Sequence, residues 1–102
     1  MSIEYNVINN EKLGQFEIHE GDSIAFMEYR FHNKKIALMH TEVPESLEGK
    51  GLAPALAEYA FKYAKDNNFP VMVYCPYVNV YLKRHPELRE QLANLKMCEK
   101  MP

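Results

Sequence analysis

The strongest chemical signal in the sequence is the turn Glu48-Gly49-Lys50-Gly51-Leu52-Ala53. Glycines let the main chain approach a ligand closely, and the helix that follows presents unpaired amides and a partial positive charge at its N-terminus, so the combination makes an anion site. No Gly-Lys-Ser/Thr stands at P-loop spacing, which excludes a nucleoside-triphosphate cradle of that kind. The same residues also serve as a plain tight turn, and the motif alone does not separate the two readings. Cys75 is the second candidate. Its place ahead of Pro76 puts the sulfur at a helix N-terminus, a setting that favours thiolates, while simple burial is the other common fate of a cysteine. His40 is the third, at the end of an apolar stripe close to the strand exit at Val43-Pro44. Lys83 and Arg84 form a basic pair that an ordinary helix surface also explains. His85 shapes the junction before Pro86, and His19, His32 and Cys98 have no assigned role.

These groups need strands and helices to position them. Up to residue 43, apolar and polar residues alternate and the breaks carry Asn, Gly and Asp, which predicts an antiparallel meander with strands over 4–8, 15–20, 24–32 and 35–43. Asn33-Lys34 predicts a two-residue hairpin. Pairing then runs Phe31 with Ile36, Tyr29 with Leu38 and Met27 with His40, all six on one buried face. Over residues 52–67 the period changes, with Ala53, Leu56, Ala57, Ala60, Phe61 and Ala64 on one helical face. Pro54 fits only the first turn, so the helix starts at about Gly51 or Leu52, and Asn67-Asn68 stops it. Val71-Met72-Val73-Tyr74 reads as a strand buried on both sides. Pro76 opens a second helix with Cys75 at its cap and Tyr77, Val78, Tyr81 and Leu82 inward, and a last amphipathic segment over 86–95 covers an edge or end. The whole is a single α+β domain over 1–102: antiparallel meander, helix, strand, helix.

Composition narrows the function classes. A chain of 102 residues with 47% hydrophobic and 25% charged residues is an ordinary globular domain. Its net charge of -2 argues against general nucleic-acid binding. The charge is uneven: after Asn33 ten of the twelve basic residues face eight acids, so the basic surplus shares the half that holds the glycine turn. No apolar run is long enough to span a membrane and the start Met1-Ser2-Ile3-Glu4 is no signal peptide, so the expected location is cytoplasmic. Cys75 and Cys98 form neither a disulfide framework nor a metal-ligand spacing, and no metal is implied.

The stretch from His40 to Pro86 carries His40-Thr41-Glu42-Val43-Pro44, the turn Leu47-Glu48-Gly49-Lys50-Gly51-Leu52-Ala53, then Cys75-Pro76-Tyr77-Val78 and Tyr81-Leu82-Lys83-Arg84-His85-Pro86. It resembles the short GNAT-like N-acetyltransferase-domain proteins. The resemblance implies a GNAT-like mixed sheet, truncated relative to full-length domains because the helices between the first two strands have no room, and therefore an open acceptor site. It implies acetyl-CoA, whose pyrophosphate sits on a Gln/Arg-x-x-Gly-x-Gly/Ala turn matched here at Gly51 and Ala53, with Gly49, Lys50 and Leu52 completing the cradle. Glu48 stands where Arg or Gln is usual, leaving Lys50 to supply charge, and Pro54 removes one amide. The pantetheine arm lies in a splay between the fourth and fifth strands, along the backbone of Thr41 and Val43, and Lys83 or Arg84 meets the 3'-phosphate.

The implied activity is transfer of acetyl to an amine acceptor that nothing in the sequence names. In direct attack, Tyr81 protonates the departing sulfur and Glu42 or His40 takes the amine proton. In a covalent route, Cys75 accepts the acetyl group with His40 as its base. A core aromatic and a solvated strand-end carboxylate are the alternatives for Tyr81 and Glu42. An acetyl-CoA-binding module without turnover is the alternative for the whole.

Overall fold

A computed structural model describes residues 5–93. Five strands form one mixed sheet in the order β1-β2-β3-β4-β5: β1 Ile8–Asn10, β2 Gln15–Glu20, β3 Ser23–His32, β4 Lys35–Glu42 and β5 Val71–Val73. The first four are antiparallel neighbours, and β5 joins β4 in parallel after a crossover through α1, Leu52–Asp66. A second helix, α2, Pro76–Arg84, follows β5, and a 3-10 segment, Pro86–Gln91, closes the described chain. Leu92 then pairs with Val71 as an isolated parallel bridge, so part of the predicted 86–95 segment covers the edge of β5, and Asn94 and Leu95 lie outside the described residues. Among the described residues no helix is long and apolar enough to cross a membrane.

One apolar core explains the arrangement. Alternate side chains of the sheet, Phe16, Ile18, Ala25, Met27, Tyr29, Ile36, Leu38 and Val71, meet Leu56, Ala57, Ala60, Phe61 and Ala64 of α1 and Val78, Tyr81 and Leu82 of α2. This is the period-two face of the strands closing on the 3.6-period stripe of the helices. Of the opposite parity, His19, Ile24, Arg30, His40, Glu42 and Tyr74 are exposed, whereas Glu17 and Ala37 are buried.

Three local outcomes differ from expectation. The first strand is Ile8–Asn10, so residues 5–7 of the expected 4–8 strand lie ahead of it and Glu4 lies outside the described residues; Asn9 accepts the Tyr29 hydroxyl at 2.6 Å and Asn10 donates to Glu17 at 2.9 Å, which holds the two asparagines in the sheet. The fifth strand ends at Val73, one residue short of Tyr74. The hairpin at Asn33 and Lys34, both with positive φ (51° and 65°), forms as predicted and pairs Phe31 with Ile36 and Tyr29 with Leu38. Beyond that point, however, His40 pairs with Glu28 and Thr41 with Met27, so the expected Met27 to His40 pairing is wrong. Met39 is an extra residue in β4, a bulge that reverses the parity of everything after it.

Candidate functional site

The bulge and a proline together build a gap in the sheet. β4 and β5 pair only over Ile36 to Leu38 and Val71 to Val73. The Leu38 carbonyl then accepts from the amides of both Tyr74 and Cys75, each at 3.0 Å. Pro76 has no amide to continue the ladder and turns the chain into α2. β4 meanwhile keeps pairing with β3 through Glu42, so its last residues turn one edge toward β3 and leave the other without a neighbouring strand. Alternate N–H and C=O groups of an antiparallel strand point away from its partner, which gives this edge unused hydrogen-bonding capacity.

Two groups of side chains occupy opposite faces at that end. Thr41 turns inward and its Oγ1 lies 3.2 Å from Sγ of Cys75, which is 2% exposed. His40 turns outward, with Nε2 3.1 Å from Glu42 Oε1 and its ring 6.2 Å from that of Phe26. Both members of the His40–Glu42 pair are largely exposed, at 54% and 61%. The structure thus brings Thr41 to Cys75 and His40 to Glu42, and sets His40 on the other side of the sheet from the thiol.

The glycine turn is built from backbone. After Val43, Pro44 caps a 3-10 turn, Glu45–Leu47, whose closing bonds run from Leu47 N to Pro44 O and from Glu48 N to Glu45 O. Gly49 (φ 80°) and Gly51 (φ 83°) both take the left-handed conformation that residues with a Cβ avoid, and Gly51 caps α1. Pro54 sits in the first turn, as its fixed φ and missing amide require, and the first bond of the helix is Ala55 N to Gly51 O at 3.2 Å. The amides of Gly49, Lys50, Gly51, Leu52 and Ala53 donate to no acceptor among the described residues. Val43, Leu47, Glu48, Gly49, Gly51, Leu52, Ala53 and Pro54 line a cleft of about 330 Å³. No acidic residue lies in the first turn of α1, and a Cβ added at Gly49 or Gly51 would meet nothing within 4 Å. Free amides, open space and the absence of a first-turn carboxylate fit a phosphate group. Exposed Glu48 is free to turn toward water, and Lys50 is exposed beside it. Tyr5, ahead of β1, donates its hydroxyl to the Lys50 carbonyl at 2.6 Å.

The aromatic column of α2 faces α1. Tyr81 is 8% exposed, stacks on His85 at 4.2 Å and lies 6.3 Å from both Phe61 and Tyr77. Burial, with Glu58 adding to it, pushes its phenol up to about 12. Tyr77, two residues from Cys75, is half-buried; burial raises its pKa too, while Arg84 pulls the other way. Sequence reasoning gave Tyr77 only a packing role, although its i,i+4 spacing to Tyr81 and its nearness to Cys75 were visible. Lys83 and Arg84 occupy the last turn of α2, ~13 Å of helix rise away from Cys75. There they complement the negative end of the helix dipole, and neither lines the cleft.

A further cluster on the exposed sheet face was missed. Glu17, its side chain 7% exposed, accepts from Asn10 and Gln15 on one oxygen and meets His19 at 2.8 Å on the other. Burial pushes its pKa up, but the hydrogen bonds from His19, Gln15 and Asn10 outweigh this and hold it below the usual 4.5. The period-two spacing of Gln15, Glu17 and His19 was the available signal. A larger concavity, about 510 Å³, lies away from all these groups, between Lys35, Lys65, Phe69, Pro70 and the last described residues, Leu92 and Ala93.

Comparison with known proteins bears on the family and the fold. A family model described as GCN5-related N-acetyl-transferase matches residues 15–92. Protein NATD1 of Danio rerio is 30% identical over 99 residues, covering 92% of this chain and 90% of that protein. Protein NATD1 of Gallus gallus is 33% identical over 73 residues, covering 71% and 66%. The match to the Xenopus tropicalis protein, 33% over 63 residues, spans 61% of this chain and 58% of that one. The solution structure of a GCN5-like protein from Staphylococcus aureus shares the fold, with a TM-score of 0.68, 22% identity, and coverage of 89% and 90%.

Proposed function

This chain belongs to the GCN5-related N-acetyltransferase family, and from that premise we propose that it binds acetyl-CoA with the pyrophosphate on the amides of Gly49 to Ala53 and moves the acetyl group to an amine. The observation that carries this reading is the turn: free amides and room beside both glycines, reached from a strand edge with unused backbone groups. Bound acetyl-CoA supplies an acetyl group activated as a thioester. The backbone of Thr41 and Val43 aligns the ligand's arm. His40, paired with Glu42, receives the amine proton on the exposed face, where an acceptor of any size has access. Tyr77 and Tyr81, whose raised pKa values keep them as neutral phenols, are the donors for the departing sulfur.

One observation favours a second route. The contact between Thr41 and Cys75 gives the thiol a polar neighbour of its own. In that route Sγ bonds to the acetyl carbon as the bond from that carbon to the CoA sulfur breaks, and the thiol proton passes to the departing sulfur. The amine then attacks the acetyl carbon of the new thioester, the bond from that carbon to Sγ breaks, and the proton lost by the amine restores the Cys75 thiol. Thr41, rather than His40, steadies the sulfur.

Calorimetric titration with acetyl-CoA tests the binding. Saturation with a thermal stabilisation of about 2.7 kcal/mol at a hundredfold excess over Kd is expected, and no binding at millimolar ligand overturns it. Intact mass after incubation separates the routes. An added acetyl group that is lost in Cys75→Ala and diminished in Thr41→Val marks the covalent path, whereas undiminished CoA release by Cys75→Ala with an amine panel marks direct attack. Binding with no release to any amine reduces the protein to a binding module.

A further inference from the structure

We propose that Tyr5 is a positioning residue for the phosphate cradle, holding the Gly51 amide turned into the cleft. This rests on the reading of the glycine turn as the pyrophosphate site. In a planar trans peptide the carbonyl of one residue and the N–H of the next point in opposite directions. All peptide bonds among the described residues are trans. Fixing the Lys50 carbonyl therefore fixes the Gly51 N–H, and the Tyr5 hydroxyl holds that carbonyl at 2.6 Å.

The need for such a hold follows from Gly51 itself. A peptide group flips by changing ψ of the residue before it and φ of the residue after it. Gly51 has φ 83° and, as glycine, accepts either sign of φ at little cost. A Cβ at this position would meet nothing within 4 Å, so no neighbour packs against Gly51 on that side. The contact bridges 45 residues of sequence and ties the segment ahead of β1 to the glycine turn, while the Tyr5 ring packs against the core. After a flip the cleft would meet the Lys50 carbonyl oxygen in place of the Gly51 N–H, an acceptor facing an anion.

Tyr5→Phe keeps the ring and its packing and deletes only the hydroxyl. The two-part test uses the full chain. In NMR titration with inorganic pyrophosphate, the Gly51, Leu52 and Ala53 amides of the wild type shift together; in Tyr5→Phe the Gly51 shift is lost while those of Leu52 and Ala53 persist. In calorimetry the Kd for acetyl-CoA rises about tenfold, the loss of one charge-assisted hydrogen bond. A merely structural role would diminish all three amide shifts alike. An unchanged Gly51 response, or an unchanged Kd, overturns the assignment of Tyr5. A wild type whose turn amides ignore pyrophosphate overturns the phosphate-site reading itself, and with it this one.

Discussion

The two halves of the candidate site are built from different materials. The glycine turn offers backbone amides held by left-handed glycines, whereas the end of β4 offers side chains whose directions depend on strand parity. Backbone chemistry is written in residue types: Gly49 and Gly51 permit the positive φ that the turn requires, Pro54 fixes its own φ, and together they locate the turn and the helix start. Side-chain chemistry in a sheet is written in a count, and one extra residue inverts it. Thr41 and His40 exchanged faces because Met39 was inserted between them and Leu38.

Exchanging those two side chains is the sharpest way to break the contrast. The double variant His40→Thr, Thr41→His puts an imidazole at the inward position beside Cys75 and a threonine at the outward one. The expected result is a loss of about 2–3 kcal/mol in chemical denaturation, the order of burying an imidazole with an unmet hydrogen bond, and loss of the Thr41 contact to Cys75. A double variant as stable as the wild type would mean that the parity of β4 beyond the bulge matters little to the core.

The sequence foretold the meander, the hairpin at Asn33-Lys34, α1 with its cap, and α2 opening at Pro76, because each announces itself by periodicity or by a residue with a fixed backbone preference. The bulge was not legible. Leu38-Met39-His40 contains neither glycine nor proline, and alternation on either side of the slip is equally regular, so a two-residue hairpin carried forward by counting puts His40 on the wrong face. The displaced first strand has the same origin. Asn9 and Asn10 look like turn residues, yet their side chains satisfy Tyr29 and Glu17 across the sheet, partners that only the fold brings near.

A second substitution probes the turn. At φ 83° a β-branched residue is strained, so Gly51→Val should lower stability by about 1–2 kcal/mol and abolish acetyl-CoA binding. Gly51→Asn, which accepts the left-handed conformation more readily, should recover most of the stability but only part of the binding, since its Cβ enters space left open beside the cap. Thermal denaturation and ligand titration on both variants separate strain from exclusion. Equal binding by Val, Asn and wild type would remove Gly51 from the cradle.

The smallest expected effect comes from a side-chain cluster that no bulge disturbs. Gln15, Glu17 and His19 alternate on one strand, and Asn10 joins them from β1, so this group follows from period-two counting where His40 did not. Because the folded-state pKa of Glu17 lies below its ordinary 4.5, its ionised form stabilises the fold above that pH, and the contribution disappears as pH falls through the lowered value. Glu17→Gln keeps the shape but weakens acceptance from three donors. About 1 kcal/mol should be lost at neutral pH, together with part of the acid-side decline in stability expected of the wild type as pH falls below about 4.5. Denaturant midpoints measured at neutral pH and at successive acid steps give both numbers. Parallel pH curves for variant and wild type would show that the cluster contributes shape alone, and that proximity of donors around a carboxylate is a poorer guide to energetics on an exposed sheet face than a left-handed glycine is to backbone conformation.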